Sequence, residues 1–323
     1  MKILVTGATG LLGSHVLEQG LKRGHQVVGV VRNIPARSFL GKHPELAEKN
    51  VQTIVCDLST DSLPDAAFKG VDAIIHCAAL ASADPAFKDA MNEINFESPK
   101  RLHEQARANG IRKWVQISTT AVMTPAKSES DSTLITEADF GSLRGTAYAQ
   151  SKYAFDKFLE TSELGILSIH PGYMLGRWDS KPSSGAILFA LRMGRFKYYL
   201  DGQKNLVAAE DVARGIFQAL EAGKIGRFIL GGTNAKISSF LEKACEELGV
   251  PFTLNEMSLE ELNQSISPDA SFIREFCLSG GASSEKAKVS FAYVPTTTVS
   301  QMIKDSVDYF TENRMLKRAG SNV

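Results

Sequence analysis

Six short apolar runs, at 3–5, 27–31, 51–55, 73–76, 114–117 and 166–169, are separated by longer segments whose apolar residues return every three or four positions. The short runs are continuously apolar, the pattern of strands buried on both faces. The longer ones, clearest at 11–23, 91–108 and 148–164, have the period of helices with one buried stripe. Strict alternation of the two predicts an α/β fold built on a doubly wound parallel sheet. After His170-Pro-Gly172 the rhythm breaks, and a stretch rich in Gly, Ser, Lys and aromatic residues runs to about residue 204. A strand at 205–208, a helix at 210–222 and a strand at 227–230 follow, ending at Gly231-Gly232. The expected division is a sheet domain of residues 1–170 plus 205–232. A smaller C-terminal substrate-binding subdomain, 171–204 plus 233–323, then sits over the carboxyl ends of the strands, where open α/β sheets bind ligands.

Composition narrows the partners. The chain has 323 residues, 43% of them apolar, enough for one full core. Its 36 Lys and Arg balance 36 Asp and Glu, so no net field recruits nucleic acid or an anionic membrane. No segment approaches the ~18 apolar residues of a membrane span. The expectation is therefore a cytoplasmic protein with a small-molecule partner. Cys56, Cys77, Cys245 and Cys277 are far apart and lack His at ligand spacing, so neither a disulfide nor a metal site is expected.

The first strand runs into Thr6-Gly-Ala-Thr-Gly-Leu-Leu-Gly13. Gly7 permits a tight turn, Gly10 lets backbone approach a pyrophosphate, and Gly13 allows close helix packing. Thr9, Leu11 and Leu12 complete the loop, and the helix opening there offers unpaired N–H groups and a positive dipole end to phosphate. The second strand ends Val30-Val31-Arg32-Asn33, where a protein selective for NAD places an acid about twenty residues past the glycines. Arg32, with Arg37 close behind, instead suits the 2′-phosphate of NADP, with NAD as the alternative. Asp57, in Val55-Cys-Asp-Leu58, either accepts from the adenine amino group or caps a helix.

Tyr148-Ala-Gln-Ser-Lys152 puts a phenol and an ammonium one helical turn apart. A nearby cation favours the phenolate, which fits Tyr148 as proton donor to a carbonyl or base for an alcohol, with Lys152 also anchoring a ribose. Tyr153 and Lys157 repeat the same spacing, so position must decide between them. Tyr148 starts its helix and follows Ser118-Thr-Thr120, a hydroxyl cluster at a strand end from which Thr119 can donate to a substrate oxygen. Asn95 interrupts a helical segment and either bridges Lys152 through water or caps a bend. His15, His76 and His170 have no carboxylate orienting them and read as structural.

These residues together resemble the extended short-chain dehydrogenase/reductase superfamily, the NAD-dependent epimerase/dehydratase family. The resemblance also covers Ile75-His-Cys-Ala78-Ala79, Pro171-Gly172, Glu210-Asp-Val-Ala213 and Ile229-Leu-Gly-Gly232, and it is nearest to the dihydroflavonol-reductase-like branch, which includes hopanoid-associated sugar epimerases. It implies a Rossmann domain, cofactor contacts extending to Leu58, Ala78, Ala79 and Pro171, and a homodimer paired through the segments 91–108 and 148–164. Two departures speak against a nucleotide-sugar substrate: the loop Ala121-Val-Met-Thr124 lacks Val-Tyr-Gly, and His170 stands where that branch carries Arg. Tyr173, Met174, Trp178 and Leu80 form either an apolar substrate pocket or a subdomain core. The leading expectation is an NADP(H)-dependent oxidoreductase of a small to mid-sized carbonyl or secondary alcohol. The alternatives are a sugar epimerase or dehydratase and a non-catalytic NADP-sensing regulator.

Overall fold

The computed structural model describes residues 1–48, 51–82, 84–123, 134–141, 146–265, 270–278 and 280–317. Strands β1 (Lys2–Thr6), β2 (Gln26–Val31), β3 (Val51–Val55), β4 (Ala73–His76), β5 (Lys113–Ile117), β6 (Gly165–Pro171) and β10 (Gly226–Leu230) form one seven-stranded sheet. Its order is β10-β6-β5-β4-β1-β2-β3, and every neighbouring pair is parallel. The strand order reverses at β1, which opens a crevice above the carboxyl ends of β1 and β4.

The pleat sends alternate residues to opposite faces. Ile3, Val5, Ile75 and Val115 pack under helices Leu11–Lys22 and Ala209–Glu221. Leu4, Val28, Ile74 and Trp114 face the other way, against Leu102, Ala106, Phe155 and Leu159 of helices Ser98–Ala108 and Ala147–Leu159. Both faces are covered, which is why the strands read as continuous apolar runs. The α/β doubly wound fold read from the sequence is the fold observed.

Two helical expectations need correction. The segment 91–108 is not one regular helix: helix Lys88–Asn92 passes through a π-helical turn, Glu93–Glu97, into Ser98–Ala108. The helix expected to reach 164 ends at Leu159, because the chain tightens at Glu160–Ser162 to enter β6 at Gly165.

Strand β7 (Tyr173–Leu175) pairs with β9 (Gln203–Ala208), which also carries the antiparallel β11 (Thr233–Lys236). A two-stranded pairing joins β8 (Tyr198–Tyr199) to β12 (Asn255–Glu256). Residues 203–208 thus lie in the small sheet, whereas helix Ala209–Glu221 and β10 return to the large one. Among the described residues, no helix is long and apolar enough to cross a membrane.

Candidate active site

At the end of β1 the chain turns through Gly7, whose φ of +65° lies in the left-handed region that favours glycine. A Cβ there would lie 2.7 Å from Ala78 N, and one on Gly13 would lie 2.1 Å from Gly7 O. The two glycines therefore let three backbone segments meet. Gly10 caps helix Leu11–Lys22 without a side-chain hydrogen bond, and the first turn holds no acid, so its amides and dipole are open to an anion. Thr6 Oγ1 bonds His76 Nδ1 at 2.8 Å and accepts from Ala78 N at 3.2 Å, tying the loop to the exit of β4.

A cleft of about 560 Å³ runs from this loop across the strand ends. Gly7, Thr9, Gly10, Leu11, Leu12, Arg32, Asp57, Leu58, Ala78, Ala79, Lys152 and Pro171 all line it. Gly13 does not; it faces the Gly7 backbone. Arg32 is exposed at the lip beyond β2 and forms no ion pair with a described carboxylate. Asp57 lines the cleft but uses Oδ1 locally, accepting from Ser59 N at 3.1 Å and Ser59 Oγ at 2.7 Å. Those bonds hold its carboxyl below the usual carboxylate range. It caps a turn rather than a helix.

Thr119 follows β5 and begins the short 3₁₀ turn Thr120–Val122. Its Oγ1 accepts from Ala121 N at 3.1 Å, which leaves the hydroxyl proton to donate elsewhere. Thr146 caps helix Ala147–Leu159 by accepting from Ala149 N at 3.2 Å, which fixes Tyr148 in the first turn and Lys152 in the second. Thr119, Tyr148 and Lys152 all face the cleft. Thr124 and the loop 142–145 lie outside the described residues.

Lys152 is 2% exposed and its Nζ donates to Ile117 O at 2.6 Å. Burial pulls its ammonium down to about 8, against the opposing pull of Asp156. The second Tyr–Lys pair has a different setting. Tyr153 packs against Phe140 with ring centroids 5.2 Å apart and planes tilted by 44°, Lys157 pairs with Glu160 at the surface, and neither lines the cleft.

Asn95 sits in the π-helical turn and makes its direct hydrogen bonds to Leu80 and Ser151. Its amide clamps the Leu80 backbone in both directions at 2.8 Å and donates to Ser151 Oγ at 3.0 Å, so the π-helical turn serves to aim it inward. His76 and His170 are fully buried, and desolvation pulls each imidazole down to about 3. Trp178 is no part of the cleft: it packs against Phe39, His43 and Tyr309. Tyr173, Met174 and Leu80 line the substrate end, joined by Phe272, Phe276 and Lys204, which sequence reasoning missed. Lys204 Nζ lies 4.7 and 4.3 Å from the Tyr173 and Phe276 ring centroids. Asp156 was missed as well. Among the described residues, no group of three His, Cys, Asp or Glu could hold a metal ion.

The chain belongs to the NAD-dependent epimerase/dehydratase family, whose profile matches residues 3–231. It is 27% identical over 264 residues to a Synechocystis sp. protein named for dihydroflavonol 4-reductase, covering 79% of this chain and 75% of that one. It is 26% identical over 259 residues to sterol demethylase protein B of Methylococcus capsulatus, 78% and 76% of the two chains. The crystal structure of gox2253 superposes with a TM-score of 0.78 at 26% identity, covering 98% of this chain and 99% of that one. Membership places the chain among NAD(P)-dependent enzymes, whose relatives are reductases and epimerases. The glycine cradle and the uncapped helix end fit such a dinucleotide.

Proposed function

We propose that the protein is an NADP(H)-dependent oxidoreductase that reduces a carbonyl, or oxidises a secondary alcohol, of a small to mid-sized and largely apolar substrate. The observation that carries this reading is one continuous cleft lined by the glycine loop and Arg32 at one end and by Thr119, Tyr148 and Lys152 beside Tyr173, Met174, Phe272 and Phe276 at the other. The glycine loop and the amides at Leu11 and Leu12 would hold the pyrophosphate, Arg32 the 2′-phosphate, Lys152 the nicotinamide ribose, and Ala78, Ala79 and Pro171 the ring. When bound, NADPH supplies the hydride that goes to the carbonyl carbon.

Tyr148 gives its proton to the carbonyl oxygen as the C–O double bond becomes single, and takes it back from an alcohol in the reverse direction. Thr119 donates a hydrogen bond to the same oxygen and stabilises its developing charge. Lys152 lowers the cost of the Tyr148 phenolate. Residues 1–170 plus 205–232 would bind the cofactor and 171–204 plus 233–323 the substrate, in a cytoplasmic homodimer paired through the segments 91–108 and 148–164.

The test is purified protein with NADPH and a panel of apolar ketones and aldehydes, followed by NADPH absorbance. Carbonyl-dependent loss is expected. Tyr148→Phe should lower the rate by about 10²-fold or more while retaining NADPH binding, and Tyr153→Phe should leave it unchanged. Tightly retained cofactor with no net consumption would overturn the reading in favour of an epimerase or dehydratase.

A further inference from the structure

Helix Ala147–Leu159 carries a third residue on the face that bears Tyr148 and Lys152. Asp156, four residues beyond Lys152, is 3% exposed and lies beneath the cleft floor. Ser118 Oγ, at the exit of β5, donates to its Oδ2. Ser168 Oγ, from β6, lies 3.4 Å from its Oδ1 and 3.0 Å from His170 Nε2. His170 Nδ1 lies 3.1 Å from Thr119 O and must donate to it, because a carbonyl only accepts. Neutral His170, with its proton on Nδ1, takes the single Ser168 hydroxyl proton at Nε2, so the chain from Ser168 through His170 to Thr119 is complete in itself, and the ionised Asp156 is held by Ser118, the residue before Thr119. Lys152 Nζ binds Ile117 O, one residue before the Ser118 that Asp156 holds.

We propose that Asp156 is the positioning residue of this site: its carboxylate keeps Lys152 charged, and the hydrogen bond it accepts from Ser118 fixes the strand end that presents Thr119. This deepens the reading of Thr119, Tyr148 and Lys152 as the reacting set.

The surroundings single Asp156 out. The groups acting on Lys152 and Asp156 are His76 and Cys77 at the exit of β4, Arg227 from β10 and His170 from β6. Burial holds both histidines neutral and pushes the Cys77 thiol up to about 12. Arg227 is a cation, itself paired with Glu160 at 3.1 Å and stacked on Phe140. Among the described residues, Asp156 is the carboxylate in this group. Its own carboxyl is raised to about 6 by desolvation, so above that pH it is the anion a buried ammonium needs.

The test follows Lys152 directly, by the ¹³Cε shift against pH in lysine-labelled protein without cofactor, with Lys152→Arg identifying the signal. Asp156→Asn keeps the shape and removes the charge. It should lower the Lys152 midpoint by about one pH unit, and Asp156→Glu should restore it. If D156N does not fold, Asp156→Ser, which also removes the charge and keeps a hydrogen-bonding oxygen, should shift the midpoint the same way. In the turnover assay, D156N should move the alkaline limb of kcat/KM to lower pH. Ser118→Ala, which frees the strand end beside Thr119 but leaves the charge of Asp156, should lower kcat about tenfold with the lysine midpoint in place. An unchanged midpoint in D156N, or in D156S where D156N is insoluble, overturns the proposal. Absence of any carbonyl-dependent NADPH oxidation defeats the functional reading instead, and the lysine titration still decides the role of Asp156.

Discussion

At the scale of single residues, side chains that share a cleft carry separable tasks, and Arg32 offers the sharpest division. Its guanidinium is exposed where β2 ends, and Tyr309 holds the nearby loop by donating to Arg37 O at 2.5 Å. A fork of fixed geometry on a held loop gains most from a dianion at one spot. Arg32→Ala should therefore weaken NADPH by about 10- to 100-fold, the worth of a charge-assisted hydrogen bond or two, and leave NADH nearly unchanged. Fluorescence titration with both cofactors checks this, and equal weakening would show that Arg32 does not read the 2′-phosphate. The residues legible in the sequence are those whose chemistry depends on local spacing: the glycines, Arg32 after its strand, and Tyr148 with Lys152 one turn on. Asp156 was illegible because an Asp in an amphipathic helix reads as a solvated charge. Only the convergence of β5 and β6 on that helix makes it a buried one.

At the scale of elements, the glycine loop shows how one absent atom sets the spacing between a strand and a helix. With Gly13 facing Gly7 O, any side chain must push helix Leu11–Lys22 off the loop. Gly13→Val should weaken NADPH at least tenfold and cost about 1–3 kcal/mol of stability, the usual range for overpacking against backbone. Urea unfolding and NADPH titration of the same variant test both halves, and a stable variant that binds normally would mean the helix can shift freely. All seven strands of the large sheet were legible, since burial on both faces writes them as apolar runs. The π-helical turn was not. Its extra residue leaves no mark on a three-to-four periodicity, and Asn95 acquires a purpose only when Leu80 and Ser151 arrive beside it. The small strands β7, β8, β11 and β12 are two to four residues long, too short for a pattern to form.

At the scale of the whole molecule, the cleft floor concentrates buried ionisable groups, and their proton balance governs stability. His76 and His170 titrate near 6.5 when unfolded but are held to about 3 in the fold. As pH falls below 6.5 the unfolded chain binds two protons that the folded one refuses, which favours unfolding. Asp156 acts oppositely: folded it binds a proton near 6, unfolded only near 3.8, so between those values protonation favours the fold. His76 and His170 against Asp156 leave a net loss as pH drops from 6 to 5, of about 1.4 kcal/mol per pH unit, which Asp179, its carboxyl also raised by burial, reduces. Glu18, held down to about 2 by His15 and Lys22, adds to the loss only at lower pH. His103, also pulled down by burial, adds in the same direction within the window. Urea unfolding at pH 7, 6 and 5 should show this decline. His76→Asn removes one proton from the balance and should flatten the slope by roughly 1 kcal/mol per unit, whatever it costs at neutral pH. D156N removes one opposing term and should steepen it. A His76→Asn slope equal to that of the unaltered protein would mean that His76 is charged in the folded state, and the neutral surroundings on which the role of Asp156 depends would then not exist.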